Sequence, residues 1–163
     1  MAFVPFLVLL LSVLGPAQLD NPLFPRRAAK YLTLTTTASA TSAKAGSKVS
    51  LFVDVVPNRG IHVYAPGAVN YQVIAVTLDP SPRIVVAGKA AYPKSEILFF
   101  EPLNERVPVF EKPFRITQDI TLARSAKAGS TLTVKGTVAY QACDDKVCFF
   151  PDSVPVSWTL TVN

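Results

Sequence analysis

From residue 31 onward, hydrophobic and polar positions alternate with a period of two. Leu32 and Leu34 alternate with threonines, and Val49, Leu51, Val53 and Val55 form one face of a second run. Ile74, Val76 and Leu78 form another, and Phe114 and Ile116 begin a further one. Leu132, Val134, Val138 and Tyr140 share a face, as do Val154, Val156, Trp158, Leu160 and Val162. Such alternation marks strands with one face in a core and the other in solvent. Turn clusters are read at Pro57-Asn58-Arg59-Gly60, Asp79-Pro80-Ser81-Pro82 and Ala87-Gly88-Lys89. No segment sustains a helical period. Short strands at this spacing predict an all-β chain folded as a β-sandwich. The parity of the last strand turns Trp158 inward. Ala-Lys-Ala-Gly-Ser occurs at 43–47 and at 126–130, each time before a long strand. The flanks differ, so we read shared turn chemistry rather than a duplicated domain.

The first 17 residues depart from this pattern. They are apolar, carry no charged side chain, and end in Gly15-Pro16-Ala17. The run is too short for a membrane span, which needs about 20 residues. It fits a secretory signal with a small-residue cleavage site, although no Lys or Arg precedes the core. Residues 18–30 read as an extended lead-in, and 31–163 as one sandwich domain. Removal of the signal would leave no membrane anchor and a periplasmic or secreted protein, where a disulfide persists.

Composition adds little. Half the residues are hydrophobic, which supplies a core, and fourteen prolines argue against a helical fold. The net charge of +5 is dispersed, with no basic-aromatic ladder, so no nucleic-acid site is expected. His62 is the only histidine. No hydrolase triad or metal set can be built around it, no cofactor is expected, and it reads as a structural residue at a strand end.

The chemistry lies in Tyr140-Gln141-Ala142-Cys143-Asp144-Asp145-Lys146-Val147-Cys148-Phe149-Phe150-Pro151, which holds both cysteines of the chain. On two antiparallel strands joined by a four-residue turn they would face each other, with Cα atoms roughly 4.5–5.5 Å apart, a separation that permits a disulfide. As a staple, that bridge would contribute about 2 kcal/mol; at an exposed tip it would be open to thiol exchange. Spacing alone leaves both readings open. By parity Cys143 points away from the core face that holds Tyr140 and Ala142, which places the thiol chemistry at the surface of one end of the sandwich.

This segment, with the Val154-Pro155-Val156 that follows, resembles the N-terminal periplasmic domain of the DsbD family, the membrane thiol:disulfide interchange proteins. The resemblance extends to His62-Val63-Tyr64-Ala65-Pro66-Gly67 and to Ala91-Tyr92-Pro93-Lys94 through Pro113-Phe114. This chain has one residue fewer between its cysteines than the best-known members. The resemblance implies an immunoglobulin-like domain whose Cys143–Cys148 pair relays reducing equivalents to or from thioredoxin-like or membrane thiol:disulfide oxidoreductases. It implies that Cys148 meets the partner. It also implies a flexible cap loop over the cysteines, here Ser95 to Leu103, with Phe99 and Phe100 as the shielding aromatics. Tyr64, Tyr71 and Tyr140 are candidates to line the site.

The chain has no Cys-x-x-Cys at a helix N-terminus to lower a thiol pKa. Asp144 and Asp145 should disfavour a thiolate, so the pair is expected to act as a relay rather than as a spontaneous nucleophile. The alternative is a non-enzymatic envelope protein-binding sandwich with a structural disulfide. A carbohydrate-binding sandwich has little support, because its single tryptophan faces inward.

Overall fold

The computed structural model describes residues 26–101 and 104–163. The expected signal segment 1–17 and lead-in residues 18–25 lie outside the described residues. The alternating runs become strands. In chain order these are β1 (Arg26–Ala28), β2 (Leu32–Ala38), β3 (Ser42–Ala43), β4 (Lys48–Pro57), β5 (His62–Tyr64), β6 (Ala75–Leu78), β7 (Ile84–Ala91), β8 (Glu96–Phe100), β9 (Glu105–Phe110), β10 (Phe114–Leu122), β11 (Thr131–Tyr140), β12 (Ala142–Cys143) and β13 (Asp152–Val162). Among the described residues there is no α-helix.

Three sheets form, with strand orders β1-β2-β4-β10-β7, β3-β13-β11-β6 and β12-β5-β9-β8. The first two supply most of the main core, and their inward positions are those the alternation marked. Leu32, Leu34, Leu51, Val53, Val55, Val138 and Leu160 are all buried in it. Trp158 is buried with them, and its indole N–H donates to the Phe52 carbonyl at 3.0 Å, from the second sheet to the first. Thr36 Oγ1 crosses the other way to the Ser157 carbonyl at 2.8 Å. Both polar groups are therefore satisfied where the sheets meet, as burial requires.

The two Ala-Lys-Ala-Gly-Ser segments adopt the same turn. Gly46 and Gly129 have φ of 81° and 76°, values in the left-handed region that glycine reaches at least cost. In each, the serine hydroxyl donates to the lysine carbonyl three residues back at 2.6 Å. The turns launch β4 and β11, central strands of different sheets.

One reading is corrected. Ala87-Gly88-Lys89 is not a turn between strands but an irregularity inside β7. The β7–β10 register shifts between Thr117 and Asp119, and Gly88 has φ 74°. A bulge needs the same left-handed glycine as a turn, so composition does not separate the two. The first sheet also starts ahead of Tyr31, since Arg26–Ala28 pairs with Thr33–Thr35.

The third sheet positions the site. At Gln141 the chain leaves the β11–β13 ladder and enters this sheet as β12, which pairs with β5. The Gln141 side chain holds the step: Oε1 accepts from the Gln72 backbone at 3.1 Å and Nε2 donates to the Phe149 carbonyl at 3.1 Å.

Candidate functional site

Strand parity gives the third sheet two apolar faces. Val63, Phe110 and Ala142 belong to the main core. Their neighbours Tyr64, Val109 and Cys143 belong to a second, smaller cluster with Val107, against which Ala68, Tyr71 and Leu98 pack. Cys143 therefore does leave the face that holds Tyr140 and Ala142. The expectation that this places it at the surface is wrong, because Cys143 is 0% exposed. The face opposite the core is itself covered, because the side chains of Tyr64, Val107, Val109 and Leu98 from the neighbouring strands, with Ala68 and Tyr71, pack together on it around Cys143.

Cys143 and Cys148 form an isolated antiparallel bridge and are joined by a disulfide, with Cα atoms 4.0 Å apart. The turn between them is fixed by Asp144. Its backbone N–H donates to the Val147 carbonyl at 3.0 Å, and its carboxylate accepts from the backbones of Lys146 and Val147, each at 2.8 Å. These N–H donors hold the Asp144 carboxyl below its ordinary range, so it stays ionised. Asp145, Lys146, Val147 and Cys148 are exposed. The bridge thus joins a buried sulfur-bearing residue to an exposed one. Beyond it the two aromatics diverge: Phe149 stacks on Tyr31 at 4.1 Å, while Phe150 is 93% exposed.

Tyr64 connects β5 to the bridge. Its hydroxyl lies 3.0 Å from Cys143 Sγ and 3.1 Å from Cys148 Sγ. Disulfide sulfurs carry no hydrogen, so the phenol donates to both. Burial, reinforced by Tyr71 and Glu105, raises its pKa well above the ordinary phenol value, and the donor stays protonated. The ring stacks on Tyr71 at 4.0 Å, and Tyr71 donates to Glu105 Oε2 at 2.8 Å. Tyr140 is placed elsewhere. It is fully buried in the main core, donates to Asp152 Oδ2 at 3.2 Å, and has its pKa pushed up to about 12, chiefly by burial.

The segment expected as a cap loop is instead largely strand, β8, paired with β9 from Glu96↔Val109 to Phe100↔Glu105. Leu98 packs into the cysteine cluster, and the half-buried Phe100 shares its parity. Phe99 has the opposite parity, is 46% exposed, and lies under the Arg106 guanidinium at 5.6 Å. Pro102 and Leu103 lie outside the described residues.

A cavity of about 510 Å³ opens between this hairpin and the cysteine turn, lined by His62, Leu98, Phe99, Phe100, Glu101, Asp144 and Asp145. His62 is the residue the sequence reading missed as part of the site. It is buried, is the cross-strand partner of Cys143, and meets Tyr64 edge-to-face at 5.9 Å. The signal was its parity with Tyr64, two residues on.

A sandwich with a half-buried disulfide at one end is the class of protein that fold and site define. Residues 29–157 match the family described as thiol:disulfide interchange protein DsbD, N-terminal, and the chain belongs to that family. Among curated protein sequences none matches. Two solved structures share the fold. The DsbD N-terminal domain of Neisseria meningitidis, in the reduced form, is 17% identical at a TM-score of 0.50, over 78% of this chain and 85% of that one. The N-terminal periplasmic domain of ScsB from Proteus mirabilis is 13% identical at a TM-score of 0.53, over 82% of this chain. The match spans 47% of the ScsB chain. At such identities the likeness is one of fold.

Proposed function

We propose that the domain exchanges thiols and disulfides through Cys143–Cys148, relaying reducing equivalents to or from thioredoxin-like proteins in the periplasm. The observation that carries this is the asymmetry of the bridge: Cys148 is exposed, Cys143 is buried, and the Tyr64 hydroxyl touches both sulfurs. A partner thiolate attacks Cys148 Sγ, the S–S bond breaks, and its electron pair leaves on Cys143. Tyr64 donates to that leaving sulfur. A second partner thiolate then attacks the partner's own sulfur in the mixed disulfide and releases Cys148. The partner leaves oxidised by two electrons and the domain reduced by two.

The β8–β9 hairpin limits access, with Phe99 and Phe100 at the cavity beside the turn. A docking partner displaces or bypasses it, whereas a small thiol gains no such orientation. The test is the rate of bridge reduction by a reduced thioredoxin-like protein and by dithiothreitol. The protein reductant should be much faster on the wild type, and replacing both Phe99 and Phe100 with Ala should narrow the gap. A bridge that resists the protein reductant, and whose reduction unfolds the domain, would be a staple, and the exchange function would be dropped.

A further inference from the structure

The histidine of this chain lies in line with its disulfide. Cys148 opposes Cys143 across the cysteine turn, and Cys143 opposes His62 across β12–β5. Directly opposed residues on antiparallel strands have Cβ atoms about 4.5–5.5 Å apart on one face of the sheet. Tyr64 shares that face, since its ring meets the imidazole and its hydroxyl meets both sulfurs. The side chain borders the cavity beside Asp144 and Asp145, and its pKa is set by burial and nearby charges rather than by a hydrogen bond among the described residues. The imidazole is thus a titratable group next to the inner cysteine, on the wall of the cavity.

We propose that His62 is the group through which opening of the bridge takes up a proton. The proposal rests on the exchange reading above. When the partner sulfur bonds to Cys148, a thiolate is left on the buried Cys143, opposite His62, whose cavity Asp144 and Asp145 also line. Its negative charge draws a proton from solvent, through the cavity, onto His62, and the imidazolium then holds the thiolate. When the bridge re-forms, Cys143 attacks the mixed disulfide, the partner leaves as a thiolate, and His62 returns its proton to solvent. Electrons pass only between sulfurs.

The groups around His62 agree with this. Tyr64 faces it from β5 and Cys143 from β12. Asp144 and Asp145 face it from the cysteine turn, Glu111 from the end of β9, and Glu101 from the end of β8. In the oxidised protein burial holds its pKa below the ordinary value, against the pull of Glu111, Asp145 and Asp144, so it is neutral and ready to accept. A charge appearing within about 4–6 Å shifts a pKa by roughly 1–3 units, enough to reverse that state.

The test is the titration of His62 by NMR in the oxidised protein and after reduction with dithiothreitol. It is paired with the thiolate absorbance of Cys143 in a Cys148→Ser variant, with and without His62→Gln. The His62 midpoint should rise by roughly 1–3 pH units on reduction. The Cys143 midpoint should rise when His62 is replaced. His62→Gln should also slow reduction by a thioredoxin-like protein about tenfold at neutral pH, the worth of one pKa unit, and flatten its dependence on pH. Equal His62 midpoints in the two redox states, with an unchanged Cys143 midpoint in His62→Gln, would overturn the proposal. If the titrations show the coupling but the thioredoxin-like protein reduces neither form, the proton coupling stands and the exchange function falls.

Discussion

In the proposed exchange, the chemistry of the bridge turns on one phenol. The Tyr64 O–H is within 3.1 Å of both sulfurs, buried, and held protonated. A hydrogen bond to a charged group contributes roughly 1.5–3 kcal/mol, against about 1 for a neutral pair. The bond to Cys143 therefore strengthens when that sulfur becomes a thiolate. Tyr64→Phe keeps the ring stacked on Tyr71 and removes only the donor. It should slow exchange at least about tenfold and raise the thiol pKa of Cys143 in the reduced protein, while costing only about 1 kcal/mol of unfolding free energy. Denaturant unfolding and thiolate absorbance separate the two effects. A stability loss above roughly 3 kcal/mol with an unchanged exchange rate would make Tyr64 a packing residue. The cysteine segment alone could not show this, since Tyr64 lies 79 positions before Cys143; Tyr64 was a candidate to line the site, but its contact with the sulfurs was not legible.

The elements differ in how well their sequences announce them. The long strands β4, β11 and β13 carry enough alternating positions to be read directly. The strands that build the site do not: β5 has three residues and β12 two, too few to show a period. Both faces of the third sheet are buried next to the cysteines, which removes the polar half of the alternation. β8 reads as a loop for a different reason: apolar residues lie on its exposed face as well as its inner one. Its pattern is irregular because Leu98 alone packs firmly into the cluster while Ile97 and Phe99 stay exposed. The second sheet contains a sharper constraint. A Cβ placed on Gly136 would lie 2.5 Å from the Thr77 carbonyl oxygen, across the β11–β6 pairing. The obstacle is backbone, so β6 must move. Gly136→Ala should cost roughly 1–3 kcal/mol, the range for overpacking, measured by denaturant unfolding. Because β6 is an edge strand of that sheet, hydrogen exchange should show its amides losing protection first.

At the scale of the whole molecule, stability and the proposed redox chemistry fall in different places. Trp158 is buried in the main core and hydrogen-bonded to the opposite sheet. Trp158→Ala should cost on the order of 3–5 kcal/mol; a loss below about 1 kcal/mol would mean the ring does not hold the sheets together. Reducing the bridge should cost about 2 kcal/mol or less, because it closes a loop with a sequence separation of only 5. Acid should act through His62. Burial lowers its folded pKa below the ordinary 6.5, so the unfolded chain binds more protons between the two values. Its contribution is full above pH 6.5 and is lost as pH falls through the folded value. His62→Gln should flatten this part of the stability profile, measured by thermal unfolding across that range.

The sequence by itself determined the all-β class, the inward faces of the long strands, the two matched serine turns and the pairing of the cysteines. Each of these is local: a period of two, a glycine at a left-handed turn, two thiols at hairpin spacing. The tertiary structure decided what surrounds the bridge. Parity turned Cys143 away from the main core, but only the pairing of β5, β9 and β8 beside β12, which gathers Tyr64, Val109 and Leu98 on that face, could decide between solvent and burial. The same pairing set Tyr64 on both sulfurs and aligned His62 with Cys143. Such neighbours are fixed by which strands pair across long stretches of chain, and that depends on the free energy of the assembled sheets rather than on any one segment.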